Sequence, residues 1–192
     1  MLSRPSGLSI ALAALCVLSG CAIFESRAKQ DAPTNVNVSE INAGYALLYD
    51  FVFKEKQANL LSLIKKESPE LKSLLERISE TSKATANELE TLAKGNPPLN
   101  LKAMHLPRIE QAARESIDKE TSKDILSSKD VALEFNMVSS QLAGLNYAAH
   151  LARNLAVVET NPQRKAFLQR TDRKYSELHA QVYKMLFSRY QR

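Results

Sequence analysis

In four long stretches of this 192-residue chain, apolar side chains return every three to four residues, the spacing of an α-helix that buries one face. Ser39 can cap a first helix, and Ile41, Tyr45, Leu48, Phe51, Val52, Leu60, Leu61 and Ile64 then predict it over 40–66. Ser68-Pro69-Glu70 is a strong helix start: a capping hydroxyl, a proline where no N–H is needed, and an acid at the positive end of the dipole. The stripe Leu71, Leu74, Leu75, Ile78, Leu89 and Leu92 follows, with Ser82 and Thr85 in its middle, until Gly95 and Pro97-Pro98 end it. A third helix is predicted from Asp130 to Val158, with Val131, Phe135, Val138, Leu142, Leu145, Ala149, Ala152 and Ala156 on one face. After Thr160-Asn161-Pro162 a fourth runs over 162–190, burying Phe167, Thr171, Tyr175, Leu178, Val182 and Met185.

Residues 96–128 form a long connection with a short helix whose apolar side is Ile109, Ala113 and Ile117. A connection of that length replaces simple hairpins by a crossover between the second and third long helices. With 5 Gly, 7 Pro and no Trp, little in the composition opposes helix. The fold class expected is all-α, a four-helix bundle over 40–192.

The N-terminus has a different logic. Arg4 precedes an apolar run of 11 residues, 8–18, too short for the about 20 that a helix needs to cross a bilayer but suited to a signal peptide. The run ends in Leu18-Ser19-Gly20-Cys21, which resembles the lipobox of bacterial lipoproteins at all four positions. The resemblance implies cleavage between Gly20 and Cys21, removal of residues 1–20, and acylation of Cys21. Three acyl chains at roughly 0.8 kcal/mol per buried CH₂ make such an anchor effectively permanent. Cys16 would be discarded with the signal, leaving Cys21 as the one cysteine of the mature chain. Ala22 rather than Asp after the lipid-bearing residue implies the periplasmic face of the outer membrane. Residues 21–39, with Pro33 and little periodicity, are the expected tether.

Two helices, a crossover carrying Leu106-Pro107 and two more helices resemble the layout of ferritin-like bundles. Segments such as Leu71-Lys72-Ser73-Leu74-Leu75 and Asn87-Glu88-Leu89-Glu90-Thr91-Leu92-Ala93 are similar to an exported bacterial family of that layout whose function is unknown. Its members carry an Asp-His pair in the second helix, where this chain reads Ser79-Glu80-Thr81-Ser82-Lys83-Ala84. A di-iron site in such a bundle needs Glu-x-x-His on two helices, and none of His105, His150 and His179 follows a Glu by three residues. The resemblance implies the fold and argues against ferritin-type oxidase chemistry.

Two polar constellations remain. Glu55, Ser82, Thr85, Gln141 and His179 fall at mid-bundle height, where a polar layer would fix helix register or mark a former metal site. From 161 to 192 the chain carries eight basic residues, among them Arg164, Lys165, Arg170, Arg173 and Lys174, against Asp172 and Glu177. That surplus suits anionic head groups or an acidic envelope protein. Export makes nucleic acid a poor partner, and glycine-rich phosphate loops, nucleophile elbows and zinc motifs are absent from the sequence. The residues imply no catalytic group and no cofactor. The expectation is a non-enzymatic, outer-membrane-anchored binding or structural module, and the alternative is a metal-binding or redox bundle of ferritin-like descent.

Overall fold

The computed structural model describes residues 36–58 and 68–190, with side chains as far as 188. The signal peptide, Gly20, Cys21, most of the tether, and Leu60, Leu61 and Ile64 of the first predicted helix lie outside the described residues. Five helices occur in the order α1 (Val38–Glu55), α2 (Pro69–Ala93), α3 (Arg108–Ser127), α4 (Asp130–Val158) and α5 (Pro162–Tyr190), with no strand among the described residues. The chain is therefore all-helical.

Several boundaries differ from expectation for local physical reasons. Asn37, not Ser39, caps α1, and Glu40 completes a capping box. The Glu40 N–H donates to Asn37 Oδ1 at 3.0 Å, and the Asn37 N–H donates to Glu40 Oε2 at 2.9 Å. The first α-helix ends at Glu55, with Lys56 as its cap, short of the expected 66, and the Lys56 carbonyl accepts from Ser79 Oγ of α2 at 2.6 Å; residues 59–67 lie outside the described residues. The start of α2 is as read, with Ser68 capping and Pro69 in the first turn. Glu134 of α4 adds to it by accepting the Ser68 N–H at 2.5 Å, a carboxylate at the positive helix end. At the start of α5, Asn161 Oδ1 accepts the N–H groups of Gln163 and Arg164 at 3.0 and 3.2 Å.

Hydrogen bonds between helices fix their directions. Tyr49 pairs with Glu90 and Lys56 with Ser79, so α1 and α2 run antiparallel. Tyr45 pairs with Glu159 and Glu55 with Gln141, so α1 and α4 do too. Ser82 meets Tyr175, and Arg164 meets the Leu92 carbonyl, which sets α2 against α5. Helices α4 and α5 form the most extensive helix pair, and α3 lies against α4.

The crossover helix is longer than expected and its face is different. α3 spans 20 residues, yet Ile109, Ala113 and Ile117 are exposed and Ile125 is its one buried residue. It is held instead at its surface, by Arg114 over the Tyr147 ring and by Lys54 of α1, which bridges Asp50 and Asp118. Exposed pairs of this kind contribute about 0–1 kcal/mol each. On α4, Val131 and Phe135 of the predicted stripe are exposed, whereas Leu133, Met137, Ala148 and Leu155 are buried with Val138, Leu145, Ala149, Ala152 and Ala156. α4 touches α1, α3 and α5, so its buried surface is wider than a single stripe. The α5 face is largely as read, with Phe167, Thr171, Tyr175, Leu178 and Val182 buried, Met185 half-buried and Leu168 added to the core.

Close approach of α1 and α4 depends on two glycines. A Cβ on Gly44 would stand 2.6 Å from Leu155 Cδ2 and 3.2 Å from its Cγ, and one on Gly144 would stand 2.8 Å from Phe51 Cε2. Alanine gains about 1 kcal/mol of helix propensity over glycine, while overpacking a filled core costs about 1–3 kcal/mol. Leu155 is buried and has nowhere to go, whereas half-buried Phe51 can swing outward. Gly44→Ala is therefore expected to lose about 1–2 kcal/mol in urea unfolding while Gly144→Ala stays near neutral.

Candidate functional site

One buried polar cluster lies where α1 begins, α2 ends and α4 turns into α5. Tyr45, wholly buried on α1, donates its hydroxyl to Glu159 Oε2 at 2.6 Å. The other oxygen, Glu159 Oε1, accepts the Asn161 N–H at 2.7 Å, which fixes the turn between α4 and α5. Arg164 is 4% exposed and donates to the carbonyls of Leu92, at 3.2 Å, and Pro97. It thus serves the last turn of α2, where carbonyls lack helical partners. Burial, followed by the carboxylate of Glu159, drives the Tyr45 phenol well above its ordinary range, so it remains a donor at every physiological pH.

Arg164 is accordingly not part of an outer basic face, a correction to the sequence reading: its flanking helix ends needed a buried donor more than the surface needed charge. Of the other residues in that reading, Lys165 is half-buried, Arg173 and Lys174 are exposed, and Arg170 pairs with Glu88 of α2. Lys174 shares a shallow groove of about 200 Å³ with Arg77, Glu80 and Glu177, so the charge there is mixed.

The second cluster is at mid-height between α1, α2, α4 and α5. Gln141 Nε2 donates to Glu55 Oε2 at 2.9 Å, and Ser82 Oγ lies 2.9 Å from the Tyr175 hydroxyl. Thr85 donates to the Thr81 carbonyl within α2 at 2.8 Å. Phe51 stands edge-on to the Tyr175 ring, with centroids 5.8 Å apart. Four of the five residues of the expected layer therefore meet or adjoin one another, while His179, half-buried on α5, is not among the residues so bonded. Tyr175 was read as plain core; its position opposite the polar gap at Ser82 and Thr85 was the signal that a hydroxyl belonged there.

The electrostatics of this layer are dominated by burial. Loss of solvent raises the Glu55 carboxyl above 4.5, and Asp118 adds to the rise against the opposing effects of Gln141 and Lys54. The phenol of Tyr175 is pushed up to about 12, mainly by burial. Among the described residues Gln141 Oε1 is buried with no hydrogen-bond partner. The arrangement holds one proton-accepting carboxyl among amide and hydroxyl dipoles, and its bonds tie α1 to α4 and α2 to α5. Among the described residues no three His, Cys, Asp or Glu side chains gather to hold a metal ion.

No family model matches this chain, and neither a curated protein nor a solved structure matches it.

Two outcomes follow. Arg164→Ala is expected to destabilise by about 3–5 kcal/mol, as loss of a buried hydrogen-bonded charge does, whereas exposed Arg173→Ala changes unfolding by under about 0.5 kcal/mol. For Glu55, the folded state favours the neutral form, so its contribution is most favourable in acid. That contribution declines as pH rises from the ordinary carboxylate range through the raised folded value. Glu55→Gln, which keeps an acceptor for Gln141, should raise the melting temperature at pH 8 and flatten its dependence on pH; a lower melting temperature at pH 8 would contradict the desolvated carboxyl.

Proposed function

We propose that this protein is an envelope lipoprotein: a non-enzymatic helical module anchored through Cys21 on the periplasmic face of the outer membrane, where it binds another envelope component. The observation that carries the reading is the sequence Leu18-Ser19-Gly20-Cys21 at the end of an 11-residue apolar run. Among the described residues no helix is long and apolar enough to cross a membrane, so the reading rests the attachment on the lipid.

Covalent geometry supports a short working distance. Residues 22–37 span at most about 58 Å when fully extended, which bounds how far the helical body can stand from an anchored Cys21. The body's end nearest that tether carries Lys94 and Lys102, both exposed, and half-buried Lys165. They share one end because Asn42 bonds to the Asn100 carbonyl and Arg164 to those of Leu92 and Pro97. Each lysine near an anionic surface contributes about 1 kcal/mol, which suits anionic lipid or an acidic envelope protein as the partner.

The ferritin-like layout is part of the same proposal. α1, α2, α4 and α5 are read as the four members of a bundle, with α3 as the crossover. The antiparallel pairings of α1 with α2 and α4, and of α5 with α2, support it, since α2 and α4 then point the same way and need a long return between them.

Labelling tests the anchor. Palmitate fed to cells should enter the wild-type chain, and Cys21→Ser should remove the label and leave the uncleaved, heavier precursor. A wild-type chain that takes up no palmitate overturns the reading.

A further inference from the structure

Lys174 stands in a groove between α2 and α5 that neither polar cluster uses. Past the Ser82 and Tyr175 contact, toward the start of α2 and the end of α5, a hollow of about 200 Å³ is lined by Arg77, Glu80, Lys174, Glu177 and Gln181 over Leu178. A second hollow of about 450 Å³ shares Arg77 and Gln181 with the first and continues past Leu74 and Met185. The two make one groove, within the size that holds small ligands, about 300–1,000 Å³. Because the helices are antiparallel, its chemistry comes in a fixed order. Glu80 and Glu177 come first, one on each helix. Arg77 and Gln181 stand a turn further on, and buried Leu74 with half-buried Met185 follows after another.

The polar groups of this groove are spare. Among the described residues the ion pairs belong to Lys54, Arg114, Arg153 and Arg170, so Arg77, Lys174, Glu80 and Glu177 are left without a partner of opposite charge. Gln181 Oε1 is out of solvent and, among the described residues, has no hydrogen-bond partner. A buried acceptor without a donor is costly, whereas a ligand N–H in the groove satisfies it after rotation of the half-buried Gln181 side chain. Unpaired charges of both signs along one groove complement a ligand that also carries both signs.

We propose that the groove binds a dipeptide with both ends free and an apolar second residue. Its ammonium lies between Glu80 and Glu177, its peptide N–H donates to Gln181 Oε1, and its carboxylate takes the Arg77 guanidinium, while its apolar side chain fills the hollow at Leu74 and Met185. A dipeptide, about 7 Å long when extended, covers the rise of about 4.5 Å from Glu80 to Arg77. A free amino acid holds both charges on one carbon and has no peptide N–H for Gln181. The balance of two cations against two anions also sets the groove apart from the basic end of the body, which lies at the other end of α2 with Lys94. The inference does not depend on the lipid anchor.

The test is calorimetric titration of the dipeptide Ala-Leu, both ends free, into the full chain. One molecule per chain should bind in the millimolar range, and acetylating its amino end or amidating its carboxylate should each weaken binding roughly tenfold. Free leucine should bind more weakly than Ala-Leu. Arg77→Gln should remove the difference between free and amidated peptide, and Glu80→Gln with Glu177→Gln the difference between free and acetylated peptide. All three side chains are exposed, so these variants keep the fold, and each should still respond to the cap at the other end. Absence of saturable binding, capped peptides that bind as well as the free one, or leucine as tight as Ala-Leu overturns the proposal. On the unmodified protein the Gln181 side-chain amide resonances should shift as Ala-Leu is added; shifts confined to other parts of the chain overturn the site.

Discussion

At one end of the molecule a carboxylate and a guanidinium are both taken out of water, and the helix arrangement depends on how they are satisfied. Glu159 accepts the Tyr45 hydroxyl and the Asn161 N–H, while Arg164 donates to the carbonyls of Leu92 and Pro97. These four contacts reach α1, the end of α2, the turn between α4 and α5, and the connection that leads to α3. Burying such groups is costly unless each finds its partners, so an arrangement that misplaced any one helix end would strand a charge. Apolar packing supplies most of the favourable free energy, but it is tolerant of rotation and sliding, whereas this cluster is satisfied in one arrangement only.

The mid-height layer acts in the same manner at lower stakes. Glu55 with Gln141 ties α1 to α4, and Ser82 with Tyr175 ties α2 to α5. Gly44 and Gly144 let α1 and α4 come close enough for the first of these bonds, since a side chain at either position would meet Leu155 or Phe51. Close backbone approach and polar pairing are thus one feature of the α1 and α4 contact. Among the described residues Gln141 Oε1 has no partner, and burial raises the Glu55 carboxyl, so the layer costs some stability while it ties the helices together.

Much of the helical framework was legible in the chain itself. Ser68-Pro69-Glu70 and Asn161-Pro162 marked helix starts because capping is local chemistry, and Leu71, Leu74, Leu75, Ile78 and Leu89 marked a buried face because α2 packs chiefly against α1 and α5 among the described residues. The misreadings have a common origin. Ile109, Ala113 and Ile117 have helical spacing but stand exposed among the described residues, and periodicity cannot say whether a stripe will be covered. Phe135 and Val131 lost their place on α4 for the opposite reason, as that helix meets three others and its buried arc turns away from them. Asn37 with Glu40 was a readable capping box that the nearer Ser39 obscured.

By itself the sequence determined that the chain is helical, where most helices start, and which residue types stand in the interior, since propensity, capping and periodicity act within a few residues. It also carries the whole case for an acylated Cys21, which is a matter of short-range recognition and not of fold. Only the tertiary structure decided that Arg164 is an interior donor and not a surface charge, that α1 stops at Glu55, and that Tyr175 belongs to a polar layer. Each of these depends on which group stands opposite across a helix pair, and residues that meet that way are dozens of positions apart along the chain.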